Sequence, residues 1–184
     1  MLSLFHLVVL RKKGFIPSNK KSPIGGYCHC EPIQEFNITH RGALIAALRN
    51  AAAAGNPDMA DCEYKAWKKA QPEPLFARAE VKNLDELEQK SICFTIQCYP
   101  TEFILYWSKR REDGLWGTNL NEDNELVPDQ IVPKEQGLEA VADAIVIHVN
   151  SRRDYPEIVF HPILLRFLDR RQRAKQPVFH KQSK

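Results

Sequence analysis

The chain has 184 residues, 43% of them hydrophobic, and a formal net charge of +3. A single domain of this length can bury about 70% of its unfolded surface, so we read one domain over 1–184. No apolar run approaches the ~18 residues that a membrane helix needs, which argues against a membrane partner.

The chain starts with an apolar run, Leu2 to Leu10, followed by Arg11, Lys12 and Lys13. Charges after the run, not before it, are the wrong order for a secretory signal, and the segment reads as a first strand. From 12 to 37 the chain holds Pro17, Pro23, Gly25, Gly26 and Pro32 among lysines and serines, a composition that predicts a long loop. A helix follows over 40–54, with Thr39 as N-cap and Leu44, Ala47, Leu48 and Ala51 on one stripe. Gly55 and Pro57 stop it. Asp61 to Ala70 predicts a short helix, Leu75 to Val81 an edge strand, and Leu84 to Gln89 one or two helical turns.

The stretch 91–110 carries the strongest signal. Ile92, Phe94, Ile96 and Cys98 alternate with Ser91, Cys93, Thr95, Gln97 and Tyr99, the period of a strand with one buried face. Pro100 breaks the run. Phe103, Leu105 and Trp107 then share one face and Ile104 and Tyr106 the other, which predicts an interior strand covered on both sides. With only Pro100 and Thr101 between them, the two runs form an antiparallel hairpin. Leu115-Trp116 begins a third, short strand after the Asp113-Gly114 turn.

Pro128 and Pro133 bracket a short segment, 129–132, and a helix over 134–149 follows. Leu138, Val141, Ala142, Ile145 and Val149 form its apolar stripe. Ile158 to Phe160 reads as a last strand and 162–173 as a last helix, running into a flexible basic tail at about 175–184. The fold class expected is α+β: an antiparallel sheet centred on the 91–110 hairpin with about three helices, near 40–54, 134–149 and 162–173, packed on it.

Five cysteines, Cys28, Cys30, Cys62, Cys93 and Cys98, match no disulfide framework. Free thiols in a reducing cytoplasm are the simplest reading. Cys28-His29-Cys30 has zinc-ligand residue types, but the paired spacings of a four-ligand site are absent. Cys93 and Cys98, five apart in a strand, point to opposite faces. We therefore expect no metal and no cofactor. There is no nucleophile elbow, no H-E-x-x-H and no P-loop, so no catalytic residue is assigned. His148 reads as a half-buried helix residue, and Arg152-Arg153-Asp154-Tyr155 as a helix-ending loop.

Charge is uneven along the chain. Residues 1–21 sum to +5, residues 22–165 to −8 and residues 166–184 to +6. Within 112–143 there are nine acids and one base, Lys134. A surface built from Glu112, Asp113, Trp116, Glu122, Asp123, Glu125, Asp129 and Glu139 would fit a basic protein partner, because complementary charge speeds encounter and rejects wrong partners. An exposed tryptophan is a usual anchor. The function expected is a non-catalytic, cytoplasmic protein-binding protein. In general character it is similar to a bacterial immunity-type inhibitor of a basic toxin such as a nuclease, without a motif that carries the likeness. The alternative is a nucleic-acid-associated protein using its basic termini. The third reading is an enzyme with a Cys/His site.

Overall fold

The computed structural model describes residues 1–70, 73–110, 116–123 and 125–152. The final strand, the last helix and the basic tail expected from the sequence lie outside these residues. The fold is α+β, as expected: a six-stranded antiparallel sheet with helices packed on it.

The strands are β1 (Ser3–Leu10), β2 (Lys13–Lys21), β3 (Tyr27–Asn37), β4 (Ser91–Cys98), β5 (Glu102–Trp107) and, after a short separate ribbon of β6 (Lys109–Arg110) and β7 (Trp116–Gly117), β8 (Gln130–Pro133). Their order in the large sheet is β3-β2-β1-β4-β5-β8. The N-terminal strand is therefore central, paired with β4 from Ser3↔Cys98 to Leu10↔Ser91. The β4–β5 hairpin pairs as its alternation predicts, with Ile96 opposite Leu105 and Phe94 opposite Trp107. β5 is an interior strand, between β4 and β8.

Residues 12–37 are not a loop. They form most of the β2–β3 hairpin, which turns at Ser22–Gly26. The prolines and glycines that mark a loop have specific places in it. Pro17 sits where the register slips between Pro17 and Ser18, and a bulge is where a strand tolerates proline. Gly14 lacks a side chain because the Phe36 ring lies across it, 2.6 Å from where a Cβ would stand.

Among the described residues five helices accompany the sheet: α1 (Arg41–Ala54), α2 (Asp61–Lys69), α3 (Pro74–Ala79), α4 (Leu84–Lys90) and α5 (Gly137–Ser151), the last entered through a 3-10 turn, Lys134–Gln136. Two corrections to the sequence reading arise here. Residues 75–79 are helical, not an edge strand: Pro74 opens α3 and Glu80 closes it in the left-handed region, the proline-first geometry of a helix start. Thr39 is not the cap of α1; that place is taken by His40 with no side-chain bond, while the Thr39 hydroxyl donates to Asn37 Oδ1 at 2.7 Å.

α1 and α5 cover one face of the sheet. Their stripes, Leu44, Leu48, Val141 and Ile145 among them, close over Phe5, Leu7, Ile92, Phe94, Ile96 and Leu105 in one buried cluster. Arg41 fixes the two helices together, its Nη2 2.6 Å from Asp143 Oδ1. His148 on α5 is half-buried, stacked on Trp107 at 4.4 Å and edge-on to Phe94 at 5.5 Å. The opposite face is covered over β1, β2 and β3 by α3 and α4, where Leu75, Phe76 and Leu87 pack on Val8, Phe15 and Ile33. Cys98 falls in the first cluster and Cys93 beside the second, on opposite faces as their spacing requires.

A candidate docking surface and a histidine relay

The chain between β7 and β8 makes a small hairpin of its own. Leu120 and Leu126 form an isolated antiparallel bridge, and Val127 N–H donates to Asn119 O at 3.0 Å. Asn121 organises the tip. Its Oδ1 accepts from the backbone N–H of Asp123 at 3.0 Å and of Glu125 at 2.8 Å, the asparagine-centred turn expected of this residue type. With these amides turned inward, the side chains of Glu122, Asp123 and Glu125 stand in solvent.

Apolar groups are exposed on the same stretch. Of the eight large hydrophobics exposed among the described residues, four fall here: Leu120 at 54%, Leu126 at 49%, Val127 at 38% and Ile131 at 52%. Scattered exposed leucines need no explanation, but a concentration beside charged groups has the make-up of a recognition surface, apolar centre and polar rim. Ile131 belongs to β8, which pairs with β5 on one side and has no strand on the other among the described residues. An open edge is itself a template for a partner's backbone.

The acids named from the sequence therefore separate. Glu122, Asp123 and Glu125 share the hairpin tip. Asp129 is half-buried and structural: its Oδ2 accepts from Trp107 N–H at 3.0 Å and its Oδ1 from Asn119 Nδ2 at 2.8 Å. Glu139 lies on α5, with its carboxylate 3.4 Å from Arg49 of α1, on a helix that packs against the other sheet face. Trp116 is in β7, opposite Arg110. Glu112 and Asp113 lie outside the described residues.

A second polar cluster was not foreseen. His6 on β1 and His29 on β3 meet across β2, with His29 Nε2 2.9 Å from His6 Nδ1. Asn19 of β2, 2% exposed, brings its Nδ2 to 3.0 Å from the same His6 nitrogen. On the outer side, Glu73 Oε2 is 3.5 Å from His29 Nδ1, and Trp67 Nε1–H donates to His29 O at 2.9 Å. Burial, reinforced by the neighbouring His29 and opposed by the Asn19 hydrogen bond, pushes the His6 pKa down to about 3. His6 is thus neutral at ordinary pH, and the cluster ties β1, β2 and β3 to Glu73, the residue before α3. A base held so far below neutrality is poorly matched to proton abstraction.

Four of the five thiols behave as packing groups, and Cys62 is exposed. Cys28 and Cys30 are buried with Met59 beneath Tyr64 and Trp67, and burial raises both pKa values. Cys93 is pushed up to about 11 by burial, and Cys98 is raised by the same cause. A protonated thiol is a poor nucleophile. Among the described residues, no three His, Cys, Asp or Glu side chains converge as a metal site.

No protein-family model matches the chain, and no curated protein matches it in sequence. Among solved structures it is similar to a protein of unknown function from Neisseria meningitidis, at 11% identity and a TM-score of 0.57, over 83% of this chain and 96% of that one. At that identity the likeness is one of fold.

Proposed function

We propose that the protein is a non-catalytic binding protein whose partner is a basic protein, most concretely an immunity-type inhibitor that covers a basic toxin such as a nuclease. The observation that carries this reading is that Glu122, Asp123 and Glu125 share one short hairpin with the exposed Leu120, Leu126 and Val127, just ahead of the exposed Ile131 on β8, the edge strand among the described residues. Acids steer a cationic partner in, and the apolar groups supply the area that holds it. The raised pKa values of Cys28, Cys30, Cys93 and Cys98 and the depressed His6 leave these four thiols and this histidine ill suited to catalysis. We place the protein in the cytoplasm, where five unpaired cysteines stay reduced. No helix of the described residues is long and apolar enough to cross a membrane.

The test is capture of a partner from native lysate, followed by assay of that partner's activity with and without this protein. The expected result is one basic protein, bound at equal stoichiometry, whose activity stops on binding. Capture of nucleic acid with no basic protein would overturn the reading in favour of the basic termini. A captured partner that is acidic would overturn it as well.

A further inference from the structure

The connection between the interior strands β1 and β2 turns in two residues, Arg11 and Lys12, between the paired Leu10 and Lys13. Arg11 takes φ +54°, a conformation that two-residue hairpin turns normally give to Gly, Asn or Asp. Glu80, which ends α3, takes φ +57°. These are the two non-glycine residues with positive φ among the described residues, and both line the same cavity of about 350 Å³. Residues kept in costly backbone regions cluster at ligand clamps more than elsewhere.

The cavity has two kinds of wall. Leu10, Phe15 and Ala79 give it an apolar floor, continuous with the core under α3. Arg11, Lys12, Lys13 and Arg78 stand around it, with Glu80 as the acid of the lining. Lys13 is held by Glu35 at 2.7 Å and Arg78 by Glu31 at 3.4 Å. Arg11 and Lys12 have no ion-pair partner among the described residues and are exposed. A floor that favours hydrocarbon and a mouth with two uncommitted cations recognise one kind of molecule.

We propose that this cavity binds a small amphiphilic carboxylate, with its apolar body on Leu10, Phe15 and Ala79 and its head against Arg11 and Lys12. At roughly 30 Å³ per non-hydrogen atom, as for liquid water, the volume accommodates about twelve such atoms. An eight-carbon acyl carboxylate fits within it. Arg11 stands in the turn against its backbone preference, and its guanidinium, with a planar fork of donors, matches a carboxylate. The site shares no residue with the acidic hairpin between β7 and β8.

The test is titration of the whole protein with octanoate, following backbone amide resonances, with 1-octanol and acetate as head-less and body-less controls. The expected result is saturable binding at or below about 1 mM, with shifts confined to 10–15 and 78–80, and about tenfold weaker binding of each control. R11G should weaken octanoate about tenfold and leave the melting temperature unchanged or higher, because glycine relaxes the turn. K12E should weaken binding without touching the turn's positive φ. Absence of saturation at about 1 mM, equal binding of 1-octanol, or an R11G protein that binds as the parent does would each overturn the proposal.

Discussion

The His29 Nε2 atom lies 2.9 Å from His6 Nδ1, and the two rings meet edge-on at 78°. Asn19 Nδ2 stands 3.0 Å from the same His6 nitrogen, and burial of the ring among these neighbours disfavours its charged form.

That arrangement makes stability pH-dependent. The His6 pKa falls from the model-compound value of 6.5 to about 3 in the fold. The unfolded chain therefore binds this proton first as the medium is acidified. The contribution is fully present above about pH 6.5 and is lost progressively as pH falls toward 3. Glu73 faces His29 from the start of α3, its Oε2 3.5 Å from His29 Nδ1. Denaturant unfolding followed between about pH 7 and pH 4 should show stability declining on the acid side by a few kcal/mol. H6Q should flatten that limb; an unchanged slope in H6Q would show that other groups set it.

The core prediction rests on β4 and β5. Phe94 and Leu105 are both completely buried, so truncating either to alanine removes packed atoms and leaves a cavity. The expected loss is about 2–5 kcal/mol for each, read as a lower denaturation midpoint at constant slope. A loss under about 1 kcal/mol at both sites would be incompatible with this core.

These two strands were legible because period-2 alternation is written directly into 91–107, and the same holds for the helical stripe of α5. The β2–β3 hairpin was not, because its interruptions carry the composition of a loop. Pro17 at a bulge and Gly14 under Phe36 make sense only once the partner strand is in place. Missing β2 and β3 also hid the histidine cluster, since His6 and His29 meet only across β2. The acids at 122–125 were visible as charge. What turns them outward, the Asn121 side chain, and what lies beside them, the exposed Leu120, Leu126 and Ile131, depend on a turn geometry that composition does not encode.

Asp129 should behave unlike the other acids of its segment. It accepts from the Trp107 amide and from Asn119, anchoring the chain as it enters β8. D129A leaves a strand amide without its acceptor, and the expected cost is about 1–3 kcal/mol. D123A, at an exposed tip position, should change stability by less than about 0.5 kcal/mol. Parallel thermal unfolding of the two variants checks this; equal melting temperatures would remove Asp129 from its structural role.

Glu122, Asp123 and Glu125 give the binding prediction. Their side chains stand in solvent around a turn held by its own backbone and by Asn121, so reversing them to lysine leaves the fold intact. If the hairpin steers a cationic partner, the triple reversal should slow association by about tenfold or more with a small change in dissociation. The effect should fade with added salt, as the Debye length falls from about 10 Å at 0.1 M to about 3 Å at 1 M. Truncating the exposed Leu126 to alanine should do the reverse, raising the off-rate with little salt dependence, because it removes contact area and no charge. Kinetics of both variants against the captured partner across a salt series separate the two contributions. A charge-reversed protein that associates as fast as the parent at low salt would place the docking surface elsewhere. In that case reversing Arg11 and Lys12, in the β1–β2 turn, is the comparison that discriminates a nucleic-acid partner, whose affinity should then fall steeply and lose part of its salt slope.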